Sequence, residues 1–117
     1  MDTVLMDSGL GFSIKMDKIE QFVNKEIKDN PVVVFSKSWC GYSGMAKTAF
    51  KDIGVKPKVI ELDKIDDGAK IQQYLAKITG GNTVPRVFVH GKFIGGGSET
   101  RSMAKSGKLL ELINKGA

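Results

Sequence analysis

Residues Pro31 to Phe35 read PVVVF, a β-branched run with no polar position in alternation. Such a run is a strand buried on both faces, and a strand of that kind has to be covered from both sides. Directly after it, Met45, Ala46, Ala49, Phe50 and Ile53 recur at helical spacing. A doubly buried strand that hands over to a helix is the opening of an α/β unit. The junction is Ser36-Lys37-Ser38-Trp39-Cys40-Gly41-Tyr42-Ser43, and it holds the chain's one cysteine. Cys40 is therefore expected in the first turn of a helix, where free N–H groups and the positive end of the dipole favour an anion. A thiol there loses its proton more readily than a free one, and the thiolate is the reactive form. Lys37 pushes the same way. The reading is a redox thiol and not a packing residue.

At 117 residues the chain makes one domain with a modest core. No apolar run approaches the ~20 residues that cross a bilayer, so no membrane segment is expected. A single cysteine excludes an internal disulfide and points to a reducing compartment. Lys and Arg number 18 against 13 Asp and Glu, a formal charge of +5. The basic residues are nearly all lysines, Arg86 and Arg101 being the only arginines, and no Arg-rich block or RNA-binding aromatic signature accompanies them. A solvated lysine-rich surface is expected, with no nucleic-acid partner. Residues 1–15 have neither the arginines of a mitochondrial presequence nor the apolar core of a secretory signal. They read as a flexible extension ahead of a domain at 16–117. The expected location is cytoplasmic, with the mitochondrion left open.

Along the chain, Asp17 and Glu20 form a candidate capping box, with Ile19, Phe22, Val23 and Ile27 as one helical face. Asn30-Pro31 stops that helix. Gly54 ends the helix after Cys40, and Lys58 to Leu62 reads as a second strand. Asp66-Asp67-Gly68 opens a third helix with Ile71, Tyr74, Leu75 and Ile78 on one face, closed by Gly80-Gly81-Asn82. Arg86–Val89 and Lys92–Ile94 flank His90-Gly91, a two-residue hairpin signal. Gly95-Gly96-Gly97 then leads into a helical region that ends in Leu109, Leu110, Leu112 and Ile113. A βαβ half followed by a ββα half predicts an α/β fold of the thioredoxin type, a four-stranded mixed sheet covered by helices on both faces. His90 is expected at the solvent-exposed turn and has no partners at metal spacing. Trp39 is expected beside the site.

Three segments together carry a resemblance: Lys37-Ser38-Trp39-Cys40-Gly41-Tyr42-Ser43, Thr83-Val84-Pro85-Arg86-Val87-Phe88-Val89 and Ile94-Gly95-Gly96. With Met45-Ala46-Lys47 and Ile71-Gln72-Gln73-Tyr74-Leu75, in that order, they closely resemble the glutaredoxins, in the class related to dithiol CPYC-type members. Ser43 stands where most relatives carry a second cysteine. The resemblance implies a glutathione-dependent thiol-disulfide oxidoreductase, with glutathione as co-substrate and glutathionylated proteins as partners. It makes Cys40 the catalytic nucleophile and Ser43 a modulator that cannot itself resolve a mixed disulfide. It further implies Pro85 in the cis form facing Cys40, and Val84 with backbone groups free for the glutathione peptide. Lys37 and Gln72 would take the glycyl carboxylate, with Thr83 flanking the groove and Tyr42 walling the sulfur site. Gly96, Ser98 and Glu99 would take the γ-glutamyl end. Asn82 in place of arginine weakens one expected carboxylate contact, and Glu99 in place of aspartate puts its reach in question.

The resemblance also supports a second class of function. Some glutaredoxins hold a [2Fe–2S] cluster between two protomers, ligated by each active cysteine and each bound glutathione. Gly41, in place of a rigid proline, gives the loop the freedom this needs. On that reading Cys40 is a metal ligand and the protein a cluster-bridged dimer; on the first it is a monomeric enzyme.

Overall fold

The computed structural model describes residues 11–116, and side chains from Lys18 onward. Among the described residues, five helices and four strands follow in the order α1 (Gly11–Asp29), β1 (Val32–Ser36), α2 (Gly41–Asp52), β2 (Lys58–Glu61), α3 (Gly68–Thr79), β3 (Arg86–Val89), β4 (Lys92–Gly95), α4 (Gly97–Ser106) and α5 (Lys108–Lys115). A single 3-10 turn, Leu62–Lys64, continues β2. The sheet order is β2-β1-β3-β4. β1 runs parallel to β2 and antiparallel to β3, and β3 pairs antiparallel with β4. This is the expected mixed four-stranded sheet.

All five residues of β1 are buried, and strand alternation sends them to two separate cores. Val33 and Phe35 pack with Ile19, Val23 and Ile27 of α1, Ile71 and Leu75 of α3, and Phe88. Phe35 meets Phe88 edge-on, with ring centroids 5.8 Å apart. Val32 and Val34 face the other way, against Ala46 and Phe50 of α2, Val87, Val89 and Leu109 of α5. Each such fully buried side chain is worth about 1.5–3 kcal/mol relative to exposure. A Tyr74 hydroxyl donating to Asn24 Oδ1 at 3.0 Å ties α3 to α1.

Several local expectations are corrected. α1 begins at Gly11, so Asp17 and Glu20 lie inside the helix and do not cap its start. Residues 1–10 of the expected flexible extension lie outside the described residues, while Gly11–Lys15 are helical. Phe22 and Ile78 stay exposed at the margins of their apolar faces, because each face is only wide enough to bury the positions aimed at the sheet. The C-terminal helical region is two helices. Gly107, at φ 85°, ends α4 in the left-handed conformation and starts α5 on a new axis.

His90 is also corrected. His90 and Gly91 have φ of 47° and 83°, as a two-residue turn with both residues left-handed requires. The ring is only partly exposed, and its Nε2 lies 2.8 Å from the Ile113 carbonyl. A carbonyl only accepts, so Nε2 carries the proton and donates. The turn is pinned to α5 and is no free loop tip.

Candidate functional site

β1 ends at Ser36, and the chain turns back at once: the Cys40 N–H donates to the Lys37 carbonyl at 3.0 Å. Cys40 has extended backbone (φ −86°, ψ 127°) and is the N-cap residue of α2. Its carbonyl accepts the first helical bond, from Gly44 N at 3.1 Å. The thiol is partly exposed and lies 3.7 Å from the Val84 carbonyl. Val84 precedes Pro85 through a cis peptide bond.

Partial burial pushes the Cys40 thiol up. The Ser43 N–H and hydroxyl, the Tyr42 N–H and the Lys37 charge outweigh it, and the thiol is held below its ordinary value. Ser43, fully buried, thus does more than fill the space of a second cysteine. Its Oγ also accepts the Lys37 N–H at 3.3 Å, so one hydroxyl ties the turn together. Ser43→Ala removes a donor to the thiolate and strands that N–H. Alkylation of Cys40 by iodoacetamide, followed against pH, is expected to move its midpoint to higher pH and to slow several-fold below it.

Around the sulfur the structure brings together several of the residues singled out in the sequence. Pro85 is buried and Val84 packs against the α1/α3 core. A Cβ on Gly96 would lie 3.3 Å from the Pro85 carbonyl, and one on Gly97 would lie 2.5 Å from the Tyr42 carbonyl. The start of α4 therefore closes over both the cis-proline and the start of α2, and at Gly97 only glycine fits without a shift. Tyr42 is exposed, as is Trp39, which the Lys37 ammonium approaches at 5.6 Å from the ring centroid. Gln72, on α3, donates its amide to the Asn82 carbonyl, which aims it at the loop carrying Thr83 and Val84.

Ser98 and Glu99 are exposed in the first turn of α4. Glu99 Oε1 accepts the Gly96 N–H at 2.8 Å, so one carboxylate oxygen is committed to capping its own helix and the other is left. Three further contributors are not among the site residues singled out in the sequence. Arg86 donates from Nε to the Thr83 carbonyl at 2.8 Å and from its terminal nitrogen to Thr83 Oγ1 at 3.0 Å, bracing the loop before Val84. Thr100, fully buried, returns its hydroxyl to the Gly96 carbonyl at 2.8 Å. Asp63 reaches across from the end of β2 to Ser38. The Asp63 contact spans 25 residues and no local pattern marks it. The Arg86 and Thr100 bonds reach only three and four residues back, and the i−4 back-bond of Thr100 is a local signal that could have been used. Among the described residues no group of three His, Cys, Asp or Glu could hold a metal ion, and no helix is long and apolar enough to cross a membrane.

A cysteine at the N-cap of the helix after β1, set against a cis-proline at the entry to β3, defines a thiol protein of the thioredoxin-like fold. The family model described as Glutaredoxin matches residues 32–94. Over 93 residues the chain is 50% identical to "Glutaredoxin-2, mitochondrial" of Pongo abelii, covering 80% of this chain and 58% of that protein. It is 44% identical over 99 residues to "Monothiol glutaredoxin-S10" of Oryza sativa subsp. japonica, covering 84% and 60%. The buckwheat glutaredoxin–glutathione complex superposes with a TM-score of 0.83 at 37% identity, covering 88% of this chain and 94% of that one. The chain belongs to the glutaredoxin family. It spans somewhat less than two thirds of the length of these two curated relatives.

Proposed function

We propose that the protein is a glutathione-dependent thiol-disulfide oxidoreductase that reduces glutathione mixed disulfides through Cys40 alone. The observation that carries this reading is the setting of Cys40: a partly exposed thiol held below its ordinary pKa, 3.7 Å from the Val84 carbonyl beside the cis-proline. The Cys40 thiolate attacks the glutathione sulfur of the substrate. The substrate's S–S bond breaks as the Cys40–glutathione disulfide forms, and the substrate leaves as a thiolate that takes up a proton. A second glutathione, as thiolate, attacks the glutathione sulfur on Cys40, oxidised glutathione departs and the Cys40 thiolate is restored. Ser43 cannot compete in the second step, since its hydroxyl does not ionise near neutral pH.

Glutathione lies along Val84, whose backbone pairs with its peptide as an added strand. Lys37 and Gln72 face the glycyl carboxylate, Thr83 flanks it, and Tyr42 covers the sulfur. The first turn of α4 takes the γ-glutamyl end, with N–H groups after Gly96 and the Ser98 hydroxyl on its carboxylate and the uncommitted Glu99 oxygen on its ammonium. Support for this layout comes from the Val84 carbonyl beside the Cys40 thiol, the approach of Gly96 to Pro85 and of Gly97 to Tyr42, and the likeness to a glutaredoxin solved with glutathione. Gln72→Ala is expected to raise KM for a glutathionylated peptide about three- to tenfold, with kcat and the unfolding midpoint unchanged. An unchanged KM removes Gln72 from the site.

The deciding experiment is turnover of a glutathionylated peptide coupled to glutathione reductase and NADPH. Ping-pong kinetics in peptide and glutathione are expected. No turnover from folded, colourless protein would overturn the reading.

One observation favours a second reading, a dimer ligating a [2Fe–2S] cluster. Trp39 and Tyr42, 72% and 58% exposed, flank a single partly exposed thiol, an apolar rim suited to a second copy. Four thiolates can then come from Cys40 and one glutathione on each chain. Bound, the cluster would supply electron storage or be passed on; Cys40 would hold it. Visible absorption that disappears as a doubled mass falls to the monomer's distinguishes this state from the enzyme.

A further inference from the structure

β2 lies at one edge of the sheet, and its outgoing end places Glu61 and Asp63 on either side of the Cys40 turn. Glu61 Oε1 accepts the hydroxyl of Ser36 at 2.6 Å. Ser36 is fully buried and is the last residue of β1. The other Glu61 oxygen pairs with Lys47, in the second turn of α2. One half-buried carboxylate thus fixes the strand entering the turn and the helix leaving it. Asp63 engages the turn itself. Its Oδ1 accepts the Ser38 N–H at 3.0 Å and its Oδ2 accepts the Ser38 hydroxyl. Ser38 is the first central residue of the turn closed by Cys40 N–H and the Lys37 carbonyl. Apart from the long Cys40 Sγ contact to the Val84 carbonyl, the other ties described on that turn come from within the segment: the closing bond itself and Lys37 N–H on Ser43 Oγ. Asp63 supplies a two-point hold on Ser38 from outside.

We propose that Asp63 is a positioning residue for Cys40, acting through its two-point contact with Ser38 to keep the Tyr42 and Ser43 N–H groups aimed at the sulfur. Glu61, Lys47 and Ser36 form the base on which that contact rests. The proposal deepens the assignment of Cys40 as nucleophile but concerns its reactivity alone, apart from any substrate. Asp63 acts against its own charge. A carboxylate near a developing thiolate repels it, so an electrostatic role predicts faster thiol chemistry when Asp63 is neutralised. A positioning role predicts the reverse when the contact is lost, and no slowing when the contact is kept without the charge.

The test is the rate of Cys40 alkylation by iodoacetamide at one fixed pH near neutrality, in the full chain with folding checked by circular dichroism. Asp63→Ala is expected to slow alkylation roughly three- to tenfold, as a slightly misplaced turn loses part of its N–H support. Asp63→Asn keeps an acceptor for Ser38 N–H and a polar partner for its hydroxyl, and should restore at least the wild-type rate. Ser38→Ala removes one of the two contacts and should fall between, which covers a failure of Asp63→Ala to fold. An Asp63→Ala rate equal to or above wild type overturns the proposal, as does equal slowing in Asp63→Ala and Asp63→Asn. If this pattern holds while the wild-type protein turns over no glutathionylated peptide, the substrate assignment fails and the positioning role stands.

Discussion

Cys40→Ser is expected to bring turnover of a glutathionylated peptide to background, a loss of more than about a thousandfold. The reason lies in ionisation more than in size. The site holds the Cys40 thiol below its ordinary value through the Ser43 and Tyr42 donors and the Lys37 charge, against the penalty of partial burial. An aliphatic hydroxyl starts roughly seven pH units above a free thiol, and the same donors cannot close that gap. The fold should be undisturbed, because serine differs from cysteine by one atom and its hydroxyl can still donate toward the Val84 carbonyl. Turnover that persists in this variant would place the nucleophile elsewhere. The same substitution also reports the pKa through stability. A thiol whose folded pKa is depressed contributes stability that is fully present above its unfolded pKa and is lost as pH falls through the folded one. Wild type should therefore gain on Cys40→Ser as pH rises across that window and run parallel to it outside. A constant difference at every pH would show that the thiol is not shifted.

Gly68→Ala should destabilise the protein by about 3 kcal/mol, the upper end of the overpacking range. At an m-value of about 1.5 kcal/mol/M, that is a urea midpoint lower by about 2 M. Helix propensity alone gives the opposite sign, since alanine is favoured over glycine in a helix by up to about 1 kcal/mol. Gly68 is the first residue of α3 and is buried. A Cβ there would stand 1.9 Å from the Leu62 carbonyl oxygen and 2.8 Å from its carbon. The obstacle is backbone, and Leu62 is itself buried in the α1/α3 core, so neither side can give cheaply. Any retreat of Leu62 also moves Asp63, the next residue, away from Ser38. Gly44→Ala in α2 is the matched control: nothing lies within 4 Å of its added Cβ, and the propensity gain should appear in full. A destabilised Gly44→Ala or a neutral Gly68→Ala, each followed by urea unfolding, would contradict this account.

Local signals along the chain set the frame. PVVVF demanded cover on both faces, and β1 does divide its side chains between two cores. Periodicity and turn residues located α2, α3 and the β3–β4 hairpin, because those signals are local: side-chain spacing, a left-handed glycine at Gly80, a left-handed pair at His90-Gly91. The handover from strand to helix was enough to put Cys40 at a helix start. Where the local signal is ambiguous, the structure departs from it. Nothing in the sequence distinguished a cap at Asp17 from a helix already under way, or showed that Gly107 divides one amphipathic stretch into two.

The surroundings of the sulfur come from contacts between strands. The Val84 carbonyl and cis-Pro85 reach Cys40 because β3 pairs with β1, which no spacing along the chain records. Asp63 meets Ser38, 25 residues away, because β2 lies parallel to β1. Gly68 and Gly97 look like ordinary helix-start glycines until Leu62 and Tyr42 are seen to occupy the space a side chain would need. A sequence constrains its own neighbours through backbone sterics and periodicity. Contacts between distant segments are fixed only when the strands register, and the setting of a reactive thiol consists of such contacts.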